Sequence, residues 1–444
     1  MIGLFVFKAR QWGHIEICPI GATQETGKKT SRMRGLFFGR SLKKGRDMEK
    51  VSRRDFLLWG KAALLAAAVP CCSFSALASQ ADSQDIGTSL SASSRKIFKN
   101  DAPDKLWKWS RKGAVYKKLD NSKVICGVCP NRCVLSPGDR SFCRSKVNMD
   151  GELYTLAYGN PCAVNIDPVE KKPLFHFKPG IKTLSIAAAG CNFRCLNCQN
   201  WQISQARPED LNNYDLFPAK VVKKAEDHDI PAIAYTYSEA ITYYEYMMDT
   251  AALAKDNNIS NLWISNGYIN EKPLLDLCKV IDAANVNLKA FSDSIYRTLN
   301  GGRLAPVLNT FKTLHEQNVH FEMTNLVIPG YTDDPDMVKH MCAWIVKHLG
   351  QDHPLHFLRF FPQYKLDRLP PAPVSSLTAF RRTAMDTGIR YVYVGNVPGH
   401  EGSHTWCHHC GKRLVKREGY HLPVYNIEKG HCRFCGTEIP GVWT

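Results

Sequence analysis

Between residues 183 and 394 the chain alternates two hydrophobic rhythms. Short apolar runs recur, separated by longer stretches in which apolar positions fall three and four apart. The runs at 183–187, 232–236, 261–265, 286–290, 321–328, 355–360 and 391–394 are predicted strands. The stretches 240–255, 273–284, the residues from 291 to about 317, 337–349 and 377–386 are predicted helices. Repeated β–α units at this spacing imply an α/β fold with parallel strands and right-handed crossovers. In such a fold, loops that follow the strands carry the site.

The front end reads differently. Ser52-Arg53-Arg54-Asp55-Phe56-Leu57-Leu58 matches the twin-arginine export pattern, and an apolar run at 62–70 and Ala76-Leu77-Ala78 follow in the order of a cleaved leader. The apolar run is too short for a stable membrane span. A leader beginning at Met48 has a normal charged start, so the expected domains are a leader at 1–78 with its true start at Met48 and its signal at 48–78. A Ser/Asp/Lys-rich linker is expected at 79–104. The signal predicts a periplasmic or membrane-associated protein, cytoplasmic if it is not used.

Charge is of little consequence here. Of the net +17, residues 1–78 supply +9, from 14 Lys/Arg against 5 Asp/Glu, which leaves +8 for the rest. No basic helix with interleaved aromatics is present, so nucleic acid is not an expected partner.

Seventeen cysteines are of more consequence. Eleven fall into three tight groups: Cys126, Cys129, Cys133 and Cys143; Cys191, Cys195 and Cys198; Cys407, Cys410, Cys432 and Cys435. Such spacing favours metal over disulfides. Cys278 and Cys342 sit in apolar helical patterns and read as core residues.

The central trio, C-x3-C-x2-C, follows the first predicted strand. Fe–S clusters ordinarily take four cysteines, and no further one occurs in the next 79 residues. Three thiolates on one loop can hold three irons of a [4Fe–4S] cubane and leave the fourth open to a small ligand. On spacing alone, a zinc site completed by a distant residue is the alternative.

The surrounding residues carry a resemblance. Asp167-Pro168-Val169-Glu170-Lys171-Lys172-Pro173-Leu174-Phe175-His176-Phe177, then Gly190-Cys191, then Cys198-Gln199-Asn200-Trp201, resemble the AmmeMemoRadiSam-system radical S-adenosylmethionine (SAM) proteins. These are relatives of pyruvate formate-lyase activating enzyme. The resemblance runs from about Cys126 to Trp443. It implies a partial (β/α)6 TIM-like barrel at 181–398 between small Cys-rich metal-binding modules, an amino-terminal four-cysteine module with its lead-in at 105–180 and a zinc-ribbon-like tail at 399–444. It implies a [4Fe–4S] cluster on Cys191, Cys195 and Cys198 that cleaves SAM to a 5′-deoxyadenosyl radical. Glu239 would receive the SAM amino group. Tyr237, Ser238, Ser265, Asn266, Asn287 and Lys289 would line the SAM and substrate side, with His356 and Arg359 on a later strand. A low-potential electron donor, a substrate that can be a protein, and Memo-like and AMMECR1-like proteins are the implied partners.

Three positions depart from the family pattern. Asn197 stands where an aromatic usually packs near the adenine, Ala240 where a proline is common, and Asn287 where an aspartate is usual.

The flanking groups read as metal knots. Four cysteines within Cys126–Cys143 suit zinc first and a second Fe–S cluster as the alternative, with disulfides the competing reading if the protein works outside the cytoplasm. The paired C-x2-C-G knuckles at Cys407/Cys410 and Cys432/Cys435 are a zinc-ribbon signal. The function expected is therefore a radical SAM enzyme. A glycyl-radical activase is a variant of it, and an electron carrier or assembly protein with a degenerate SAM site is the alternative of another class.

Overall fold

Seven of the apolar runs pair, in chain order, into one parallel sheet. The computed structural model describes residues 102–444 and, before them, the backbone of two short strands at Ser89–Leu90 and Phe98–Lys99. The expected leader, its Met48 start and most of the expected linker lie outside the described residues.

The main sheet has eight strands: β1 Ala163–Pro168, β2 Lys182–Ala187, β3 Ala232–Tyr235, β4 Ser260–Ser265, β5 Ala283–Asn287, β6 His320–Val327, β7 Leu355–Arg359 and β8 Val392–Gly395. They lie in sequential order, β1 antiparallel to β2 and every later neighbour parallel. β1 ends on Pro168, which an edge strand tolerates because one side of its backbone needs no partner. Helices α1 Pro218–Asp227, α2 Tyr244–Asp256, α3 Glu271–Cys278, α4 Leu304–Glu316, α5 Pro335–Leu349 and α6 Val374–Thr387 make the crossovers. α5 shows the local logic. Asp334 caps it through Asp336 N, Pro335 opens it, and Gly350 at φ +87° ends it.

The expected strand at 286–290 is displaced. β5 starts at Ala283 and ends at Asn287, and the helix expected at 273–284 is α3, which stops at Cys278. Ile281, Ala283, Ala284 and Val286 are all buried. A parallel strand covered on both faces reads as a continuous apolar run, which has no period to separate it from a buried helix. Lys289 therefore lies beyond its strand, in the loop.

The amino-terminal module is two small antiparallel sheets, Tyr116–Lys118 with Val124–Cys126 and Val134–Leu135, and Arg111–Lys112 with Glu152–Thr155 and Lys146–Met149. It is tied to α2 by a buried ion pair, Lys146 Nζ to Glu245 Oε2 at 2.6 Å. Removing either partner would strand a charge, so the pair fixes where the module sits.

The carboxy-terminal module docks elsewhere. β1 leaves the sheet beside Lys182, the start of β2, so residues 169–178 cross the amino-terminal edge of the parallel strands. Val442 N donates to His176 O at 2.7 Å and Lys178 N to Val442 O at 2.6 Å. Arg417, fully buried, donates to Phe175 O at 3.0 Å and Thr405 Oγ1 at 2.8 Å. The Pro-Leu-Phe-His-Phe run and the Pro-Gly-Val-Trp tail thus contact each other.

Candidate functional site

The central cysteines occupy the loop at the carboxyl end of β2. Ala188-Ala189-Gly190 carries the chain off the strand, and Gly190 stands at φ +104°. A Cβ there would lie 2.4 Å from the Cys143 carbonyl oxygen, so glycine allows the loop and the amino-terminal module to touch. The loop is pinned by backbone bonds from Arg194 N to Asn300 O (2.8 Å), Leu196 N to Leu299 O (2.9 Å) and Lys365 N to Leu196 O (3.0 Å). Phe193 is buried beneath it against Tyr268 and Tyr296.

The three thiols are free, and two of them have a donor close by. Phe193 N lies 3.4 Å from Cys191 Sγ, and Asn300 Nδ2 lies 3.2 Å from Cys195 Sγ. Burial, with a further push from nearby Glu239, raises the Cys191 thiol well above its ordinary pKa, and burial raises Cys198. Such thiols stay protonated near neutral pH unless a metal takes the proton's place.

Glu239 follows β3 and is buried. Its Oε1 accepts from Ser265 Oγ at 2.8 Å and Ile241 N at 3.3 Å, and its Oε2 from Asn266 N at 2.9 Å. Burial raises the carboxyl despite those donors and the charge of Lys289. Asn266 continues to the cysteine loop, its Nδ2 2.7 Å from Asn192 Oδ1 and 3.9 Å from Cys191 Sγ. Asn287 Nδ2 donates to Ser265 O at 3.2 Å.

The expected residues thus divide. Cys191, Cys195, Cys198, Glu239, Ser265, Asn266, Asn287 and Lys289 come together. Tyr237 and Ser238 are there by backbone, but their hydroxyls are engaged elsewhere: Tyr237 donates to Asp167, and Ser238 to Ala188 O at 2.6 Å. His356 is buried with Nε2 2.6 Å from Glu322 Oε2, and Arg359 Nε donates to Ala372 O at 2.8 Å. Both hold the fold. Asn192 and Asn300 were not singled out from the sequence. Asn300 closes a π-helical turn, Tyr296–Asn300, a distortion that no sequence period announces.

The two cysteine quartets differ. Cys407 and Cys435 Sγ are 3.7 Å apart, and Cys410 and Cys432 Sγ 3.8 Å. Among the described residues this quartet is the group that gathers three or more metal-ligating atoms within 4.8 Å of one another. Cys126, Cys129, Cys133 and Cys143 instead surround a cavity of about 20 Å3, lined also by Ser141, Lys146 and Asn192. None of the four is in a disulfide.

Residues 185–342 match the model of the radical SAM superfamily. A relative from Methanocaldococcus jannaschii, an uncharacterized protein, is 42% identical over 331 residues, which is 74% of this chain and 98% of that one. The chain belongs to the radical SAM superfamily. A pyruvate formate-lyase 1-activating enzyme of Escherichia coli is 26% identical over 212 residues, covering 44% of this chain and 84% of the enzyme. The radical SAM match contains every residue gathered at the site, from Cys191 to Lys289, and neither cysteine quartet.

The superfamily implies a [4Fe–4S] cluster and SAM, and this donor set fits them. Cys191, Cys195 and Cys198 would hold the cluster, with no fourth cysteine on the loop. Glu239 and Lys289 bring one carboxylate and one ammonium to the same site, charges that suit a zwitterionic amino acid group.

Proposed function

We propose that this protein is a radical SAM enzyme of the activase-like, AmmeMemoRadiSam kind. The observation that carries the reading is the trio of thiols on one loop beside the buried Glu239. When bound, the cluster and SAM supply one-electron cleavage of the sulfonium to a 5′-deoxyadenosyl radical, which takes a hydrogen atom from substrate. The chain's own residues position and shield. Phe193 N and Asn300 Nδ2 donate to the thiolates and favour their charge. Glu239, held by Ser265 and Asn266, presents a fixed acceptor for the SAM ammonium. Lys289 balances its charge.

Similarity to the Escherichia coli activating enzyme favours a protein backbone as substrate, which would make the chain a glycyl-radical activase. Memo-like and AMMECR1-like proteins are the partners that the motif resemblance suggests. For the carboxy-terminal quartet we propose zinc, because tetrahedral Zn–S bonds of ~2.3 Å place sulfurs ~3.8 Å apart, the spacing found.

The test is spectroscopic. The anaerobically reconstituted, dithionite-reduced protein should give the EPR signal of a [4Fe–4S] cluster whose g-values shift when SAM is added, because SAM would ligate the open iron. A cluster signal indifferent to SAM would contradict the proposal and favour an electron carrier.

A further inference from the structure

The amino-terminal quartet is treated by the fold unlike the carboxy-terminal one. In the tail, four thiols close to 3.7–3.8 Å, the spacing of ligands on a single ion. Cys126, Cys129, Cys133 and Cys143 do not close within 4.8 Å. They stand around a cavity larger than one water needs. A tetrahedral zinc would draw sulfurs to ~3.8 Å and leave no such room, whereas a cubane carries its thiolates on four separate irons and holds them farther apart. The central trio, likewise, is absent from the closely gathered group. By spacing, the amino-terminal quartet goes with the trio and not with the tail.

Its surroundings suit a charged sulfur cluster. Phe142 N lies 3.4 Å from Cys133 Sγ, and the Ser141 and Ser145 hydroxyls lie 3.1 and 3.2 Å from Cys143 Sγ. Its place matters as much. Asn192, joined by a peptide bond to Cys191, lines the cavity. Asn131, between Cys129 and Cys133, donates to Asn192 O at 2.9 Å. Arg194 bridges the two loops, donating to Cys191 O at 3.0 Å and to Phe142 O. The carboxy-terminal knot, by contrast, packs with Tyr391 and Tyr393 at the opposite edge of the sheet.

We propose that Cys126, Cys129, Cys133 and Cys143 hold a second [4Fe–4S] cluster that passes single electrons to the cluster on Cys191, Cys195 and Cys198. A low-potential one-electron donor of the flavodoxin type reduces the second cluster. That cluster is reoxidised as the first is reduced by one electron, and no proton or group is transferred. The electron's destination rests on the function proposed above. Occupancy of the second site does not.

The experiment uses the full chain and two variants, reconstituted anaerobically with iron, sulfide and zinc. The wild type is expected to hold about eight irons and eight acid-labile sulfides. The triple variant Cys191→Ala/Cys195→Ala/Cys198→Ala should keep about four irons, all on the amino-terminal quartet. The variant Cys126→Ala/Cys143→Ala should keep the other four or so and still form 5′-deoxyadenosine with dithionite. With reduced flavodoxin, its first cluster should be reduced at least tenfold more slowly than in the wild type. About four irons and two zincs in the wild type, with no iron in the triple variant, would overturn the site, whatever the folding of the quartet variant. Equal rates with flavodoxin would overturn the relay. A wild type with both clusters but no 5′-deoxyadenosine would sink the radical SAM reading and leave the second cluster standing.

Discussion

The backbone N–H of Asn266 donates to Oε2 of Glu239 at 2.9 Å, so the loop after β4 holds a carboxylate buried beside the cysteine loop. Ser265 Oγ holds the other oxygen at 2.8 Å. Glu239→Gln replaces one acceptor oxygen with an N–H2 that meets donors already in place, and it removes the charge. A hydrogen bond to a charged group contributes about 1.5–3 kcal/mol, which converts to a roughly 10–100-fold loss of SAM affinity. Titration calorimetry of SAM into the cluster-loaded variant measures it. Unchanged affinity would remove Glu239 from the SAM site.

Gly190 packs the loop of the central trio against Cys143 of the amino-terminal quartet. Gly190→Ala must place a Cβ 2.4 Å from Cys143 O at φ +104°, a backbone region that alanine rarely enters. Strain of roughly 1–3 kcal/mol is expected. The melting temperature should fall, and iron retained by Cys143 and its partners should fall with it. A melting temperature equal to that of the wild type would show that the two loops are not in contact.

Asn300 donates to Cys195 Sγ at 3.2 Å. Hydrogen bonds to cluster sulfurs favour the more reduced state, because they offset its extra negative charge. Asn300→Ala should therefore lower the midpoint potential of the first cluster, read by EPR-monitored redox titration. An unchanged or raised potential would mean that the amide does not act on the sulfur.

His176 gives a pH dependence. Its Nδ1 lies 2.6 Å from Pro440 O and its Nε2 2.6 Å from Tyr393 Oη, and burial pulls its pKa down to about 4 although Glu322 pulls the other way. The folded value lies below the ordinary 6.5, so between those pH values the unfolded chain binds a proton that the folded chain lacks. Stability is thus lost as pH falls from 6.5 towards 4, by at most about 1.4 kcal/mol per pH unit. Denaturant unfolding at several pH values should show this slope reduced in His176→Asn, itself less stable at neutral pH. An identical slope in the variant would assign the acid sensitivity to other groups.

Much of the frame was legible. Parallel strands and the trio on the loop after β2 follow from apolar runs and cysteine spacing, because both signals are local. The displacement at β5 arises where Ile281, Ala283, Ala284 and Val286 are all buried and leave no period that separates strand from helix. What stayed hidden is tertiary. Glu322 in β6 looks like a surface charge, yet it is fully buried because His356 Nε2 and His176 N reach it from segments distant in sequence. Asn192 and Asn300 look like ordinary loop amides until Asn266 and Cys195 are brought to them.

The trio on β2's loop is proposed to support reductive cleavage of SAM. The most direct measurement is 5′-deoxyadenosine, quantified after the anaerobic, cluster-loaded protein meets SAM and dithionite, in wild type and Cys191→Ala. Product is expected from the wild type and none above background from the variant, with equal zinc content in the two proteins. Equal product from both, or none from a wild type with its cluster assembled, would contradict the proposal.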